Sequence, residues 1–258
     1  MKKGVVFTLV FALLANSMIT RAFAKSEQLA WFIKRNGRET PVFSNASAIV
    51  DKYNGYYIDK TAAKNKDKVL YLTFDAGYEN GNIEQTLDVL KDEDVPAAFF
   101  ILDNLILKNE NLVKRMVDEG HLICNHTKNH RNLSSCSAEE IEKNLNDLEK
   151  IYEERIGRTL DKYFRFPEGK FSEKALKTVS SMGYRTIFWS FAYDDWDNAR
   201  QPEPQKAIKK IISNTHDGAI ILLHPTSKTN ADILPELIST WRSMGYRFGT
   251  LTDLTKKS

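Results

Sequence analysis

The sequence predicts an α/β fold, a (β/α) barrel of about seven parallel strands preceded by an N-terminal extension. Three observations carry this. From Val69 onward, apolar runs of strand length alternate with amphipathic stretches of helical period. Parallel strands need crossover connections, so strand, helix, strand at this spacing demands parallel pairing. The chain also repeats itself: Ser181-Met182-Gly183-Tyr184-Arg185 returns as Ser243-Met244-Gly245-Tyr246-Arg247, each time closing a helical pattern and opening an apolar run. A glycine there supplies the left-handed cap that turns the chain back into the sheet, and Gly120 plays the same part. Finally, the first βα unit holds no glycine-rich phosphate loop and no dinucleotide fingerprint. That favours a closed barrel over an open doubly wound sheet.

The chain has 258 residues, 42% hydrophobic and 28% charged, which fits one globular domain. Residues 1–24 read as a secretory signal. Lys2 and Lys3 form a basic start, an apolar core runs from Gly4 to about Leu14, and Ala22-Phe23-Ala24 fits the small-x-small cleavage rule. The apolar core is short for a membrane span; an uncleaved N-terminal anchor is the alternative. Either way the body of the protein is expected outside the cytoplasm. The leader holds three bases, Lys2, Lys3 and Arg21, and no acid. Of 37 bases 34 then remain, matching the 34 acids. A neutral mature chain argues against nucleic acid and anionic lipid as partners.

Residues 25–68 lack strong periodicity and read as an extension that wraps the body. They hold a loop at Asn36-Gly37, a short amphipathic stretch from Ala48 to Tyr53, and a charged linker from Lys64 to Lys68. Residues 69–258 form the main domain. Its strands are expected at VLYLTF from Val69, PAAFFIL from Pro96, HLICNH from His121, KYFRF from Lys162, YRTIFWS from Tyr184, AIILLH from Ala219 and YRFGTL from Tyr246. Helical patterns run from Ile83 to Leu90, Leu112 to Val117, Ala138 to Tyr152, Ser172 to Met182 and Ile233 to Met244. Two cysteines are too few for a disulfide scaffold. Cys124, in an apolar run, reads as a buried thiol; Cys136, in a serine-rich turn, is expected to be more exposed. A bond between them is possible.

Active sites of such barrels collect at the C-terminal ends of the strands. Five of the seven ends carry chemically capable residues: Asp75, His126, Arg165 to Gly169, Asp194-Asp195-Trp196, and His224-Pro225. His126 and His130 stand four apart, a spacing that on one helical turn lets both reach one ion. Such a pair also arises by chance on surfaces, and a catalytic zinc normally takes three protein ligands. Arg165 could keep Asp75 ionised and oriented if the two are buried together. His224 becomes a plausible general acid if Asp195 accepts one of its ring protons.

These residues, in this order, resemble the polysaccharide deacetylases of the NodB-homology type, carbohydrate esterase family 4. The likeness covers roughly residues 69–254 and five motifs: TFDAG at Thr73, HTKNH at His126, RFPEG at Arg165, DW at Asp195 and LLH at Leu222. The resemblance implies a distorted (β/α) barrel and a hydrolytic N-deacetylation. It implies Asp75 as general base, oriented by Arg165, and a divalent metal, zinc or cobalt, at His126 and His130. The backbone N–H near Glu168 would face the oxyanion. His224, tuned by Asp195, would be general acid, and Trp196 and Leu222 would hold the acetyl methyl group.

The chain departs from that pattern once. The family's third metal ligand is the second aspartate of TFDDG, and here it is Ala76. A methyl group cannot coordinate an ion, so the ion is held weakly by two histidines, or Glu79 or Glu168 enters the shell, or the site is inactive. Ala76→Asp is expected to tighten metal binding. TFD-x-GYENG with a non-aspartate in the middle is similar to one branch, the delta-lactam-type peptidoglycan deacetylases. Those remove acetyl from N-acetylmuramic acid after an N-acetylmuramoyl-L-alanine amidase has taken the peptide, giving muramic δ-lactam of spore cortex. Peptidoglycan glycan strands are thus the implied partner of a monomer. The alternatives are an N-acetylglucosamine deacetylase of peptidoglycan or chitin-like oligomers, and a glycan-binding pseudoenzyme.

Overall fold

The computed structural model describes residues 27–256; the leader expected at residues 1–24 lies outside them. Seven parallel strands form the main sheet: Val69–Ala76, Ala97–Ile101, Leu122–Asn125, Asp161–Phe164, Arg185–Thr186, Ala219–Leu223 and Arg247–Phe248. The first strand lies between the sixth and the second. The third, fourth and fifth follow outward in order, and the seventh pairs with the start of the first. Each strand coincides with one of the expected apolar runs, although the first extends past its run to Ala76 and the fourth begins one residue earlier, at Asp161.

The side-chain period of two divides the strand residues between two cores. Leu70, Leu72, Phe74 and Ala76 belong with Phe99, Ile101, Ile221 and Leu223 to an outer cluster under the helices. Val69, Tyr71, Ala98, Phe100, Cys124, Tyr163 and Ile220 form the inner cluster. Continuing the inner period, by two residues from Cys124 and Tyr163 and by four from Tyr71 and Ile220, reaches His126, Arg165, Asp75 and His224. The pleat itself therefore delivers the polar residues to one end of the barrel. Burial on both faces also explains why the first strand reads as an unbroken apolar run.

Closure of the barrel is irregular, which is the distortion the motifs imply. The fifth strand lasts only two residues before the chain leaves the ladder. Its continuation crosses to the sixth strand, where Ser190 N–H donates to the Ile220 carbonyl at 3.0 Å and Leu222 N–H to the Phe191 carbonyl at 2.9 Å. The N-terminal extension fills the rest of the gap. Tyr56 N–H donates to the Thr186 carbonyl, Phe188 N–H to the Tyr56 carbonyl and Asp59 N–H to the Gly218 carbonyl, at 2.7–2.8 Å.

That extension is more ordered than its sequence suggests. An antiparallel hairpin, Ile33–Asn36 with Glu39–Phe43, turns at the expected Asn36-Gly37 loop. The charged stretch from Lys64 to Lys68 is not a linker. It ends the Lys60–Asn65 helix, which Asp59 caps through Ala62 N–H and Lys66 closes in a left-handed conformation. Trp31, Val50 and Tyr57 pack in a further core against the helices Ala138–Ile156 and Glu173–Ser181. Three helices of the main domain were not anticipated, Asp103–Lys108, Pro204–Ser213 and Leu251–Lys256. The second has a readable start, since Glu203 caps it and Pro204 opens it.

Both cysteines are free thiols. Cys124 is buried as expected. Cys136 is buried as well, contrary to expectation, because its serine-rich turn tucks the thiol under the N-cap of the Ala138–Ile156 helix beside Leu133 and Ile141.

Candidate active site

Arg165 is fully buried, and every nitrogen it carries has a partner. Nη1 donates to Asp75 Oδ1 at 2.8 Å, Nη2 to Thr73 Oγ1 at 2.9 Å and Nε to the Ile187 carbonyl at 3.0 Å. The guanidinium also lies 4.1 Å over the Phe100 ring. This fixes Asp75 by one oxygen and leaves Oδ2 directed elsewhere. Burial alone would raise the Asp75 pKa, but the charges of His126, Arg165 and His224 around it hold it below the ordinary carboxylate value. Arg165 is the permanent charge among them, because His126 is itself driven neutral.

His126 sits 2% exposed just past the third strand. Its Nδ1–H donates to the Arg165 carbonyl at 2.9 Å, which leaves the Nε2 lone pair free, 3.4 Å from Asp75 Oδ2. Desolvation pushes its pKa down to about 4, against the pull of Asp75. A neutral imidazole whose other nitrogen is tied to a carbonyl is the form a metal ligand takes. The His130 ring packs edge-on against it, centroids 5.0 Å apart, but is exposed. The helical turn expected here does not form. Residues 126–130 are a loop, with Thr127 (φ 71°) and His130 (φ 60°) in the left-handed region. The two rings meet because that loop is strained, and Asn144 holds it by accepting from Lys128 N–H at 2.8 Å.

His224 and Asp195 form the second polar pair. His224 Nδ1–H donates to Asp195 Oδ1 at 2.7 Å, and the His224 backbone N–H donates to Oδ2 at 2.9 Å. Burial disfavours the imidazolium, but Asp195, by charge and hydrogen bond, and Asp75 outweigh it and raise the His224 pKa above its ordinary value. With Nδ1 committed, Nε2 is the nitrogen open to a ligand.

Glu168 completes this end of the barrel. It lies in a 3₁₀ turn, Pro167–Gly169, with left-handed backbone at φ 55°. Non-glycine residues in that region cost free energy and gather at functional sites. Three of the six such residues among those described, Thr127, His130 and Glu168, follow the strands that carry His126 and Arg165. Trp31 N–H anchors the turn by donating to the Gly169 carbonyl at 2.8 Å. Leu222 is buried two residues before His224, whereas Trp196 is 62% exposed at the rim.

Residues 62–187 match the polysaccharide deacetylase family. The peptidoglycan-N-acetylmuramic acid deacetylase PdaA of Bacillus subtilis is 36% identical over 244 residues, 94% of this chain and 91% of that protein. The chain belongs to the polysaccharide deacetylase family. The structure of B. subtilis PdaA, a family 4 carbohydrate esterase, matches this polysaccharide deacetylase with a TM-score of 0.84. It does so at 36% identity, over 90% of this chain and 98% of that one. A peptidoglycan-N-acetylglucosamine deacetylase of Bacillus cereus is 34% identical over 201 residues, 74% of this chain and 90% of that protein. Members of this family are hydrolases acting on carbon–nitrogen bonds, and this chain is one of them.

Family 4 deacetylases are generally metal-dependent, and the donor set of this deacetylase fits an ion only in part. His126 offers a free lone pair beside His130. No group of three His, Cys, Asp or Glu among the described residues is placed to hold an ion. Ala76 is fully buried in the outer apolar cluster. Neither glutamate fills the gap: Glu79 Oε1 accepts from the Gly81 and Ile83 N–H groups where the Asn82–Asp92 helix begins, and Glu168 is exposed and paired with Lys170.

Proposed function

We propose that this deacetylase removes acetyl from N-acetylmuramic acid in peptidoglycan. Its product would be the precursor of the muramic δ-lactam of spore cortex, made outside the cytoplasm. The observation that carries the chemistry is the opposed pair of Asp75, held ionised by Arg165, and His224, held by Asp195. Two titratable groups whose surroundings drive their pKa values in opposite directions are a base and an acid. The likeness to PdaA, which spans nearly the full length of both chains, supports the muramic substrate. An N-acetylglucosamine deacetylase is the second reading, favoured by the B. cereus relative.

In the reaction proposed, Asp75 Oδ2 takes a proton from water as the water oxygen bonds to the amide carbonyl carbon. Arg165 keeps Asp75 Oδ1 occupied, so the proton goes to Oδ2. The charge that develops on the carbonyl oxygen faces the backbone N–H near Glu168, pre-aimed by the left-handed turn. His224 Nε2–H then protonates the nitrogen as the C–N bond breaks, releasing acetate and a free sugar amine. Trp196 and Leu222 flank the acetyl methyl group. His126 and His130 are the residues that would hold a divalent ion such as zinc or cobalt, which would supply polarisation of the amide carbonyl.

Prior action of an N-acetylmuramoyl-L-alanine amidase would free the lactyl carboxyl that the new amine needs for lactam closure. The test is acetyl release, read by mass spectrometry, from amidase-treated glycan strands, peptide-bearing strands and N-acetylglucosamine oligomers. Release confined to muramic acid of the treated strands is expected. Release from the glucosamine oligomers alone would move the assignment to the second reading.

A further inference from the structure

Behind the His224–Asp195 pair lies a buried amide that belongs to none of the motifs. Asn230, 2% exposed, stands in the first turn of the Lys228–Ser243 helix. Its Nδ2 donates to Asp195 Oδ2 at 2.6 Å and to the His224 carbonyl at 3.1 Å. Its Oδ1 accepts from the hydroxyl of Tyr193, itself buried. All of the amide's polar atoms are therefore engaged, and the amide can face only one way. Flipping it would set its carbonyl against the Asp195 carboxylate and its NH₂ against a hydroxyl already aimed as a donor.

The consequence for Asp195 is a carboxylate with three donors. His224 Nδ1–H occupies Oδ1; the His224 backbone N–H and Asn230 Nδ2–H occupy Oδ2. The loop carrying Asp195 is pinned to the same helix start. Gln201 Oε1 accepts from Ser227 Oγ at 2.6 Å and from Thr229 N–H at 3.2 Å, while Gln201 Nε2 donates to the Asp197 carbonyl at 2.9 Å. We infer that Asn230, oriented by Tyr193, is a positioning residue for the proton donor: it locks Asp195 so that His224 keeps Nδ1–H inward and presents Nε2–H to the leaving amine. This deepens the proposed function and rests on it for the identity of the proton donor.

Asn230→Asp is the decisive variant, because it is isosteric and its effect depends on pH. While the new carboxyl holds a proton it can still donate to Asp195; once ionised it repels it. The variant should therefore show an additional ionisation in its kcat profile, with kcat falling as that proton is lost and KM staying within about twofold. Tyr193→Phe should lower kcat in the same direction but less. In the proton NMR spectrum, the His224 Nδ1–H resonance should broaden or vanish in Asn230→Ala while thermal unfolding stays cooperative. A kcat profile for Asn230→Asp that parallels wild type, or an unchanged Nδ1–H resonance in Asn230→Ala, would overturn the assignment. If Asn230→Ala does not fold, Asn230→Asp decides by itself, and a kcat profile of wild-type shape overturns the assignment. Because the resonance needs no turnover, a failure of the deacetylase reading is recognised separately, as absence of acetyl release by wild type.

Discussion

Asp75 and His126 face each other across 3.4 Å, Oδ2 to Nε2, each held from behind by Arg165: one by its guanidinium, the other by its backbone carbonyl. One residue thus sets both the charge of the carboxylate and the tautomer of the imidazole. Its partners come from three strands and from the irregular segment that closes the barrel, so the site cannot loosen without loosening the sheet.

Removing Arg165 is therefore expected to harm fold and activity together. Arg165→Met leaves Asp75 buried without its counter-charge, and breaking a buried pair from one side costs about 3–5 kcal/mol. Arg165→Lys keeps the charge but loses the fork that holds Asp75, Thr73 and the Ile187 carbonyl at once, so its melting temperature should fall less than its kcat. Chemical denaturation and acetyl release measure the two effects.

The pH dependence follows from the two shifts of opposite sign. His224 has its pKa raised, so it stays a proton donor past its ordinary 6.5, and activity is lost as pH rises through the raised value. Asp195→Asn removes the charge that raises it. The alkaline limb should then move to lower pH, and kcat should fall by roughly 10²–10⁴-fold, the usual worth of a general acid. An alkaline limb unmoved by Asp195→Asn would contradict the assignment of His224.

Acid stability carries its own sign. Asp75 has a lowered pKa, so the stability it lends is full above its ordinary 3.8 and is lost as pH falls through the folded value. His126, depressed to about 4, resists protonation in the fold and costs stability progressively as pH falls below 6.5. Asp75→Asn and His126→Gln should each flatten the fall in melting temperature on acidification, and calorimetry between neutral and acid pH checks both.

Ala76→Asp should tighten divalent-ion binding by at least about tenfold, the effect that even outer-shell changes produce at metal sites. The methyl lies in the outer apolar cluster, so the ion-free variant should lose about 1–3 kcal/mol of stability and regain it on loading. Titration calorimetry with zinc reads the first effect and thermal unfolding the second. Unchanged affinity would count against an ion between His126 and His130.

Much of this was legible because the pleat writes it into the sequence. Seven apolar runs gave seven strands, and the polar residues two or four steps beyond the inner-facing residues of four of them marked the end where the site forms. What was not legible depends on contacts between segments remote in the chain. Nothing local to Tyr56 or Asp59 says that they close a barrel gap against Thr186 and Gly218. The pairing of His126 with His130 rests on left-handed backbone at Thr127 and His130, not on helical spacing. Asn230 carries no motif, because its role is fixed only when its helix start meets the loop at Asp195, 35 residues away. Cys136 was misjudged because a serine-rich turn says nothing of the helix cap that covers it.

The most direct test compares wild type with Asp75→Asn on amidase-treated peptidoglycan strands, with divalent ion added or chelated, reading products by mass spectrometry. Loss of acetyl from muramic acid in wild type and its disappearance in Asp75→Asn is the expected result, with chelation suppressing what wild type does. Equal acetyl loss by Asp75→Asn, or none by wild type on any glycan offered, would contradict an acid–base deacetylation centred on Asp75.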